Sequence, residues 1–268
     1  MSKISYAVFT HVGKVRDNNE DDFYANGKYK ENITDLYERY SDASDDERRL
    51  YAVCDGMGGE ALGEVASLIA VKTLAEYQAA DMKTQVMDYI TKANKAICDE
   101  AEKNDGVRIG TTLALLYINA GRAVAYNIGD SRIYHFRKGR LEQLSEDHTK
   151  AQLLVKMGII KKEAAGNHWE KHKLTQHLGI NPEDLLIEPY VSREIGVKKN
   201  DIFLLCSDGL TDMVSDEDIA KILDMKETSA ADLADKLVKT ALANGGRDNV
   251  TVVVVKVEGQ DGFWDKIF

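Results

Sequence analysis

The chain has 268 residues, 44% of them hydrophobic, and a formal charge of −10 from 45 acidic against 35 basic side chains. That supports a substantial core, while the acidic balance argues against nucleic acid as a partner, since a phosphate backbone repels it. No apolar run is long enough to span a bilayer and Met1–Thr10 lacks the basic-then-apolar order of a secretory signal, so no membrane partner and a cytoplasmic location are expected.

Alternating Ile4, Tyr6 and Val8 predict a strand, and Leu50–Cys54 a short buried one ending at Asp55. Between them, Lys28–Arg49 is strongly charged and reads as an exposed insertion. Near-helical spacing over Val65–Tyr77 and Val86–Cys98 predicts two helices. Four short β-rich runs follow: Thr111–Ile118, Arg122–Ile128, Arg132–Phe136 and Arg140–Leu144. Their connections, Asn119–Gly121, Gly129–Asp130 and Lys138–Gly139, are short enough to demand antiparallel neighbours. A helix-like stretch over Lys150–Met157 leads into a polar, histidine-containing segment ending near Gly179. The remaining expectations are a strand at Ile202–Cys206, helices capped by Ser215 and Ser229, and a strand at Val250–Val257. The mixture is α+β, helices covering antiparallel sheets. With only Pro182 and Pro189 and no linker-like stretch, residues 1–258 read as one domain and 259–268 as a short C-terminal tail.

Cys54, Cys98 and Cys206 lack paired spacing and sit mostly in apolar runs, so core thiols are expected rather than disulfides or zinc ligands. The chemistry points instead to Asp55, Asp208 and Asp248, each ending or adjoining a predicted strand. A single Asp-Gly pair is ordinarily a turn. An aspartate directly after an apolar strand at two such places needs another reason, because burying a lone carboxylate is costly. Hard divalent cations supply one, since they take oxygen ligands and keep waters. Gly56-Met57-Gly58-Gly59-Glu60-Ala61 satisfies a dinucleotide-binding pattern, but Asp55 would repel a pyrophosphate and two helices follow where that fold needs a strand. The six histidines have no zinc spacing, and His168, His172 and His177 read as loop residues.

Six short motifs occur in order: Gly13–Asp21, Asp55–Gly59, Gly110–Thr112, Gly129–Arg132, Ser207–Asp212 and Asp248–Thr251. Together they resemble the signatures of the type 2C, metal-dependent serine/threonine protein phosphatases in their bacterial branch, from about Tyr6 to Val257. The resemblance implies an αββα sandwich of two antiparallel sheets with metals in a cleft at one end. It implies two core ions, Mn²⁺ or Mg²⁺, bridged by Asp55, with Asp208 and Asp248 completing one and the Gly56 carbonyl helping hold the other. Glu20 and Asp21 would act mainly through waters, and Asp130 and Asp212 would join Asp208 around a weaker third ion. Arg16 would grip the substrate phosphate; without the motif it reads as a surface arginine paired with Asp17 or Glu20. Asp55, Asp208 and Arg16 are thus the expected catalytic residues, serving direct attack of a metal-bridging hydroxide on a phosphoserine or phosphothreonine ester.

Lys150–Gly179 resembles the bacterial flap. Departures are Met57, Glu60, Trp169 and Lys171, none of which removes a metal ligand. Phosphorylated proteins as substrates, an opposing serine/threonine kinase and a monomeric state complete the expectation. The alternatives are a small-molecule phosphohydrolase, or a phosphoprotein-binding pseudoenzyme, against which the presence of Asp55, Asp208 and Asp248 counts.

Overall fold

The computed structural model describes residues 3–58, 62–78 and 80–259. Strands β1 (Ile4–His11), β2 (Asp21–Ala25), β3 (Lys28–Tyr29), β4 (Tyr37–Ser44) and β5 (Arg48–Gly58) come first. Helices α1 (Gly63–Ala75) and α2 (Met82–Lys103) follow, then β6 (Ile109–Thr111), β7 (Leu113–Asn119), β8 (Arg122–Ile128), β9 (Arg132–Arg137) and β10 (Arg140–Gln143). Short helices α3 (Lys150–Lys156) and α4 (Lys162–Ala165) precede β11 (Tyr190–Val191), β12 (Ile195–Gly196) and β13 (Ile202–Cys206). The chain closes with α5 (Asp208–Thr211), α6 (Asp216–Leu223), α7 (Ala230–Ala243) and β14 (Val250–Val257).

The strands form two sheets in the orders β10-β9-β13-β14-β1-β4 and β11-β8-β7-β5-β2-β3, with β12 on β8 and β6 on the far end of β5. All their pairings are antiparallel. Period-two alternation assigns each side chain to a layer. Tyr6, Val8, Tyr51, Val53, Leu205 and Val253 meet between the sheets. Ala52, Cys54 and Leu115 face outward beneath α1 and α2. Leu204, Cys206 and Val252 face the opposite way, beneath α6 and α7. The result is the expected αββα sandwich. Ser215 and Ser229 cap their helices as expected, accepting from the backbone N–H groups of Asp218 and Asp232.

Three expectations change. Lys28–Arg49 is not an insertion: β4 pairs with β1 over eight consecutive residues, from Ile4 opposite Ser44 to His11 opposite Tyr37. It is an edge strand, and its charge is what keeps an edge from pairing with another chain. Thr111–Ile118 is two strands, broken at Thr112, so that β5 can pair with β7 before Asp55 and with β6 after it. Finally, β8 and β9 are not neighbours, although only Gly129–Ser131 separate them: β8 lies in one sheet and β9 in the other. Gly129 makes the crossing at φ +95°, and a Cβ there would also sit 2.6 Å from the Thr112 side chain.

Cys54, Cys98 and Cys206 are free thiols, the first and last buried. Cys54 and Cys206 belong to the two outer layers, so their thiols point away from one another although their strands end near a common site. Residues 260–268, nearly all of the expected tail, and Glu60 lie outside the described residues.

Candidate metal centre

Pairing of β2 with β5 sets Asp21 directly opposite Asp55. The Asp55 backbone is fixed on both sides: its N–H donates to Thr112 Oγ1 (2.9 Å) and its carbonyl accepts from Thr111 Oγ1 (2.9 Å) and Thr112 N (2.9 Å). Thr112 in turn shares a 2.7 Å hydrogen bond with Ser131, beside Asp130. The next residue must be glycine, because a Cβ on Gly56 would lie 2.2 Å from the Gly63 carbonyl oxygen and 2.5 Å from that of Glu20. That close approach lets Gly56 N–H reach the Glu20 carbonyl at 3.2 Å, which Ser67 also meets at 2.6 Å.

The other sheet supplies the remaining acids. Asp208 opens α5 straight after β13, and Asp248 sits just before β14. Ser207 joins the two sheets, donating to Asp21 Oδ2 (2.7 Å) and accepting from Thr251 N (3.0 Å). Buried Asn249 ties the loop before β2 to this end: its Nδ2 donates to Val12 O (2.9 Å) and Asn18 O (2.8 Å), and its Oδ1 accepts from Glu20 N (2.8 Å). Arg16 on that loop pairs with Asp248 at 2.8 Å, rather than with Asp17 or Glu20. Beneath the loop the fully buried Lys30 ammonium donates to the Asn19 carbonyl at 2.7 Å.

Electrostatics identify the centre. Burial first, then the charges of Asp21, Asp208, Asp130 and Asp248, hold the Asp55 carboxyl well above its ordinary range. Asp130 is raised by burial and then by Asp208 and Asp147, and Glu20 by burial and then by Glu64. Asp21 is pushed up to about 7 by burial, against the opposing hydrogen bonds of Thr251 and Ser207. One of its oxygens, Oδ1, is buried without a hydrogen-bond partner. Converging carboxylates that cannot all ionise comfortably, with an orphaned buried oxygen and an all-oxygen donor set, fit hard divalent cations.

The structure brings Asp21, Asp130, Asp208 and Asp248 within electrostatic reach of Asp55, with Glu20 and Gly56 on their flank. Asp212 stands further out, where Lys171 holds it at 2.9 Å. Sequence reasoning missed His172. Its Nδ1 lies 3.3 Å from Asp208 Oδ2 and its Nε2 3.3 Å from Asp212 Oδ2, and a donor atom of each of Asp130, His172 and Asp208 falls within one 4.8 Å group. Nothing in the spacing of a loop histidine signals such a contact. His177 instead lies half-buried near Gly110, and His168 accepts from Glu170 N. Between this edge of the centre and the flap opens a cavity of about 490 Å³ lined by Asp130, Arg132, Asp147, Lys171, His172 and Asp212 among others.

Comparison with known proteins agrees with this fold. The profile of the family described as protein phosphatase 2C matches residues 38–245. The chain is 36% identical over 264 residues to the serine/threonine protein phosphatase PstP of Mycobacterium tuberculosis, covering 96% of this chain and 46% of PstP. It thus spans about half the length of that relative. It is 34% identical over 259 residues to the serine/threonine phosphatase stp of Listeria monocytogenes, covering 92% of this chain and 93% of the relative. The crystal structure of M. tuberculosis PstP superposes with a TM-score of 0.79 at 34% identity, covering 96% and 99% of the two chains. The PstP catalytic domain in complex with two manganese ions gives 0.77 at 33% identity, covering 96% and 100%.

Proposed function

The chain belongs to the protein phosphatase 2C family, and from that premise we propose that it is a metal-dependent phosphatase of phosphoserine and phosphothreonine in proteins. The observation that carries the reading is the carboxylate cluster at one end of the sandwich, with the strained ionisation of Asp55 at its middle.

Asp55, Asp208 and Asp248 would hold the core Mn²⁺ or Mg²⁺ ions, two in number, with the Gly56 carbonyl and, through waters, Glu20 and Asp21; Asp130, Asp208 and Asp212 would hold a weaker third. Bound ions supply Lewis acidity toward the phosphate and a water acidic enough to lose its proton near neutral pH. Ser207 and Thr112 keep Asp21 and the Asp55 backbone in register from opposite sheets, so the acids stay convergent against their mutual repulsion. Arg16 stands at the half-exposed rim, and Asp248 takes one of its five donors; its planar fork can turn others to two phosphate oxygens. Met57, on β5 beside Gly56, carries no proton to give, so protonation of the leaving oxygen falls to solvent or another group. The flap residues Leu153, Met157, Ile159 and Trp169 are exposed and face any phosphoprotein approaching the cleft from that side.

On the same reading the domain is residues 1–258, the enzyme works as a cytoplasmic monomer, and a serine/threonine kinase supplies its substrates. Among the described residues no helix is long and apolar enough to cross a membrane. The test is phosphate release from a phosphopeptide with Mn²⁺, Mg²⁺ or chelator. Turnover should require added cation and fall by orders of magnitude in Asp55→Asn and Asp208→Asn. Full activity after exhaustive metal removal, or near-normal turnover in either variant, would place the chemistry elsewhere.

A further inference from the structure

Resting on the reading of Asp130, Asp208 and Asp212 as the seat of a third cation, we propose that His172 of the flap is a direct nitrogen ligand of that ion. The ion then fastens the flap to the cleft.

The flap reaches the site by fixed backbone contacts rather than by a free side chain. Lys150 N–H meets the Lys173 carbonyl and Thr175 N–H the His148 carbonyl, both at 2.8 Å, and Thr149 and Leu174 form an isolated bridge. This ladder flanks His172 and holds its ring against the acids. Both ring nitrogens point at carboxylates, Nδ1 to Asp208 and Nε2 to Asp212, each at 3.3 Å. A nitrogen and two carboxylate oxygens, one each from Asp130 and Asp208, share a 4.8 Å group, a span one ion can fill by drawing its donors inward. The half-exposed ring leaves room for the waters such an ion retains.

Two consequences follow from donor chemistry. Imidazole suits first-row transition ions, whereas Mg²⁺ prefers oxygen, so this site discriminates in favour of Mn²⁺ more than the all-oxygen core does. Lys171, which pairs with Asp212 at 2.9 Å, is a cation on the same flap, and filling the site requires its ammonium to yield to the ion. The third ion therefore exchanges one set of flap contacts for another, the Lys171–Asp212 ion pair for a bond to His172.

The experiment is pulsed EPR on the 268-residue chain loaded with saturating Mn²⁺ and carrying ¹⁵N-histidine, with Mn²⁺ stoichiometry and affinity measured by calorimetry. Wild type should show directly bonded histidine nitrogen. His172→Ala should lose that signal and weaken the weakest class of Mn²⁺ site by at least about tenfold, leaving the tighter ions in place. His168→Ala, in the same flap, should change neither readout. Three ions without nitrogen coupling in wild type would overturn the inference and leave the third-ion reading standing, with His172 only an ion-pair partner of the acids. Two ions at saturation, with none added at higher Mn²⁺, would overturn both.

Discussion

Asn249 is one side chain on which the geometry of the centre depends, and replacing it by alanine removes three hydrogen bonds at once. Their partners are main-chain groups of Val12, Asn18 and Glu20, all in the loop that carries Arg16. At a net ~1 kcal/mol for each bond, the expected destabilisation is about 3 kcal/mol. Water reaching the freed groups would reduce it, and groups left dry would increase it. The loss should also reach the metals: Glu20 N–H is one of the released groups, and the Glu20 carbonyl receives the Gly56 N–H. Urea unfolding of the metal-free protein measures the first effect and calorimetric Mn²⁺ titration the second. Asn249→Asp should destabilise at least as much as alanine, since it keeps the acceptor for Glu20 N–H but turns a buried carboxylate oxygen toward the carbonyls of Val12 and Asn18. Asn18→Ala, which removes one local bond to Asn19 N–H, is the control. A change below roughly 0.5 kcal/mol in Asn249→Ala, the range of an inconsequential surface substitution, or Mn²⁺ affinity untouched despite lost stability, would refute the reasoning.

Arg16→Ala should raise KM for phosphopeptide and aryl phosphate with a smaller fall in kcat, because a phosphate contact exists before and during the reaction; an unchanged KM leaves Arg16 as the ion-pair partner of Asp248 alone. Asp21 and Asp22 are each pushed from an ordinary 3.8 up to about 7, chiefly by burial, so the metal-free fold holds their protons more tightly than the unfolded chain does. Their contribution is therefore full below pH ~4 and lost as pH rises to about 7, up to roughly 4 kcal/mol each. The metal-free melting temperature should fall between pH 5 and 7, and Mn²⁺ should raise it more at pH 7 than at pH 5; a flat or rising metal-free profile contradicts the assignment. Met57→Ala should lower kcat by similar, modest factors on phosphopeptide and aryl phosphate, whereas a selective loss of about 10²-fold on phosphopeptide would show that Met57 organises leaving-group protonation.

Where periodicity and capping chemistry are local, the sequence by itself was sufficient. Leu50–Cys54 and Val250–Val257 are strands because continuous apolar runs can be buried on both faces, and Ser215 and Ser229 open helices because their side chains take the first free N–H groups. Strand ends and the six ordered motifs pointed to Asp55, Asp208 and Asp248 as candidate ligands, and the structure brings Asp208 and Asp248 within electrostatic reach of Asp55. Only the tertiary structure decided how those pieces meet. The register that sets Asp21 against Asp55 is a long-range pairing, and Gly129–Asp130 reads equally well as a hairpin turn, though it carries the chain from one sheet to the other. Lys28–Arg49 looks like surface because an edge strand has one side in solvent, and a charged side chain does not reveal which neighbour its backbone has found. His172 shows the limit most clearly. Its sequence neighbours are those of any polar loop, and its chemistry comes wholly from Asp208 and Asp212, brought to it from dozens of residues away by the packing of the flap.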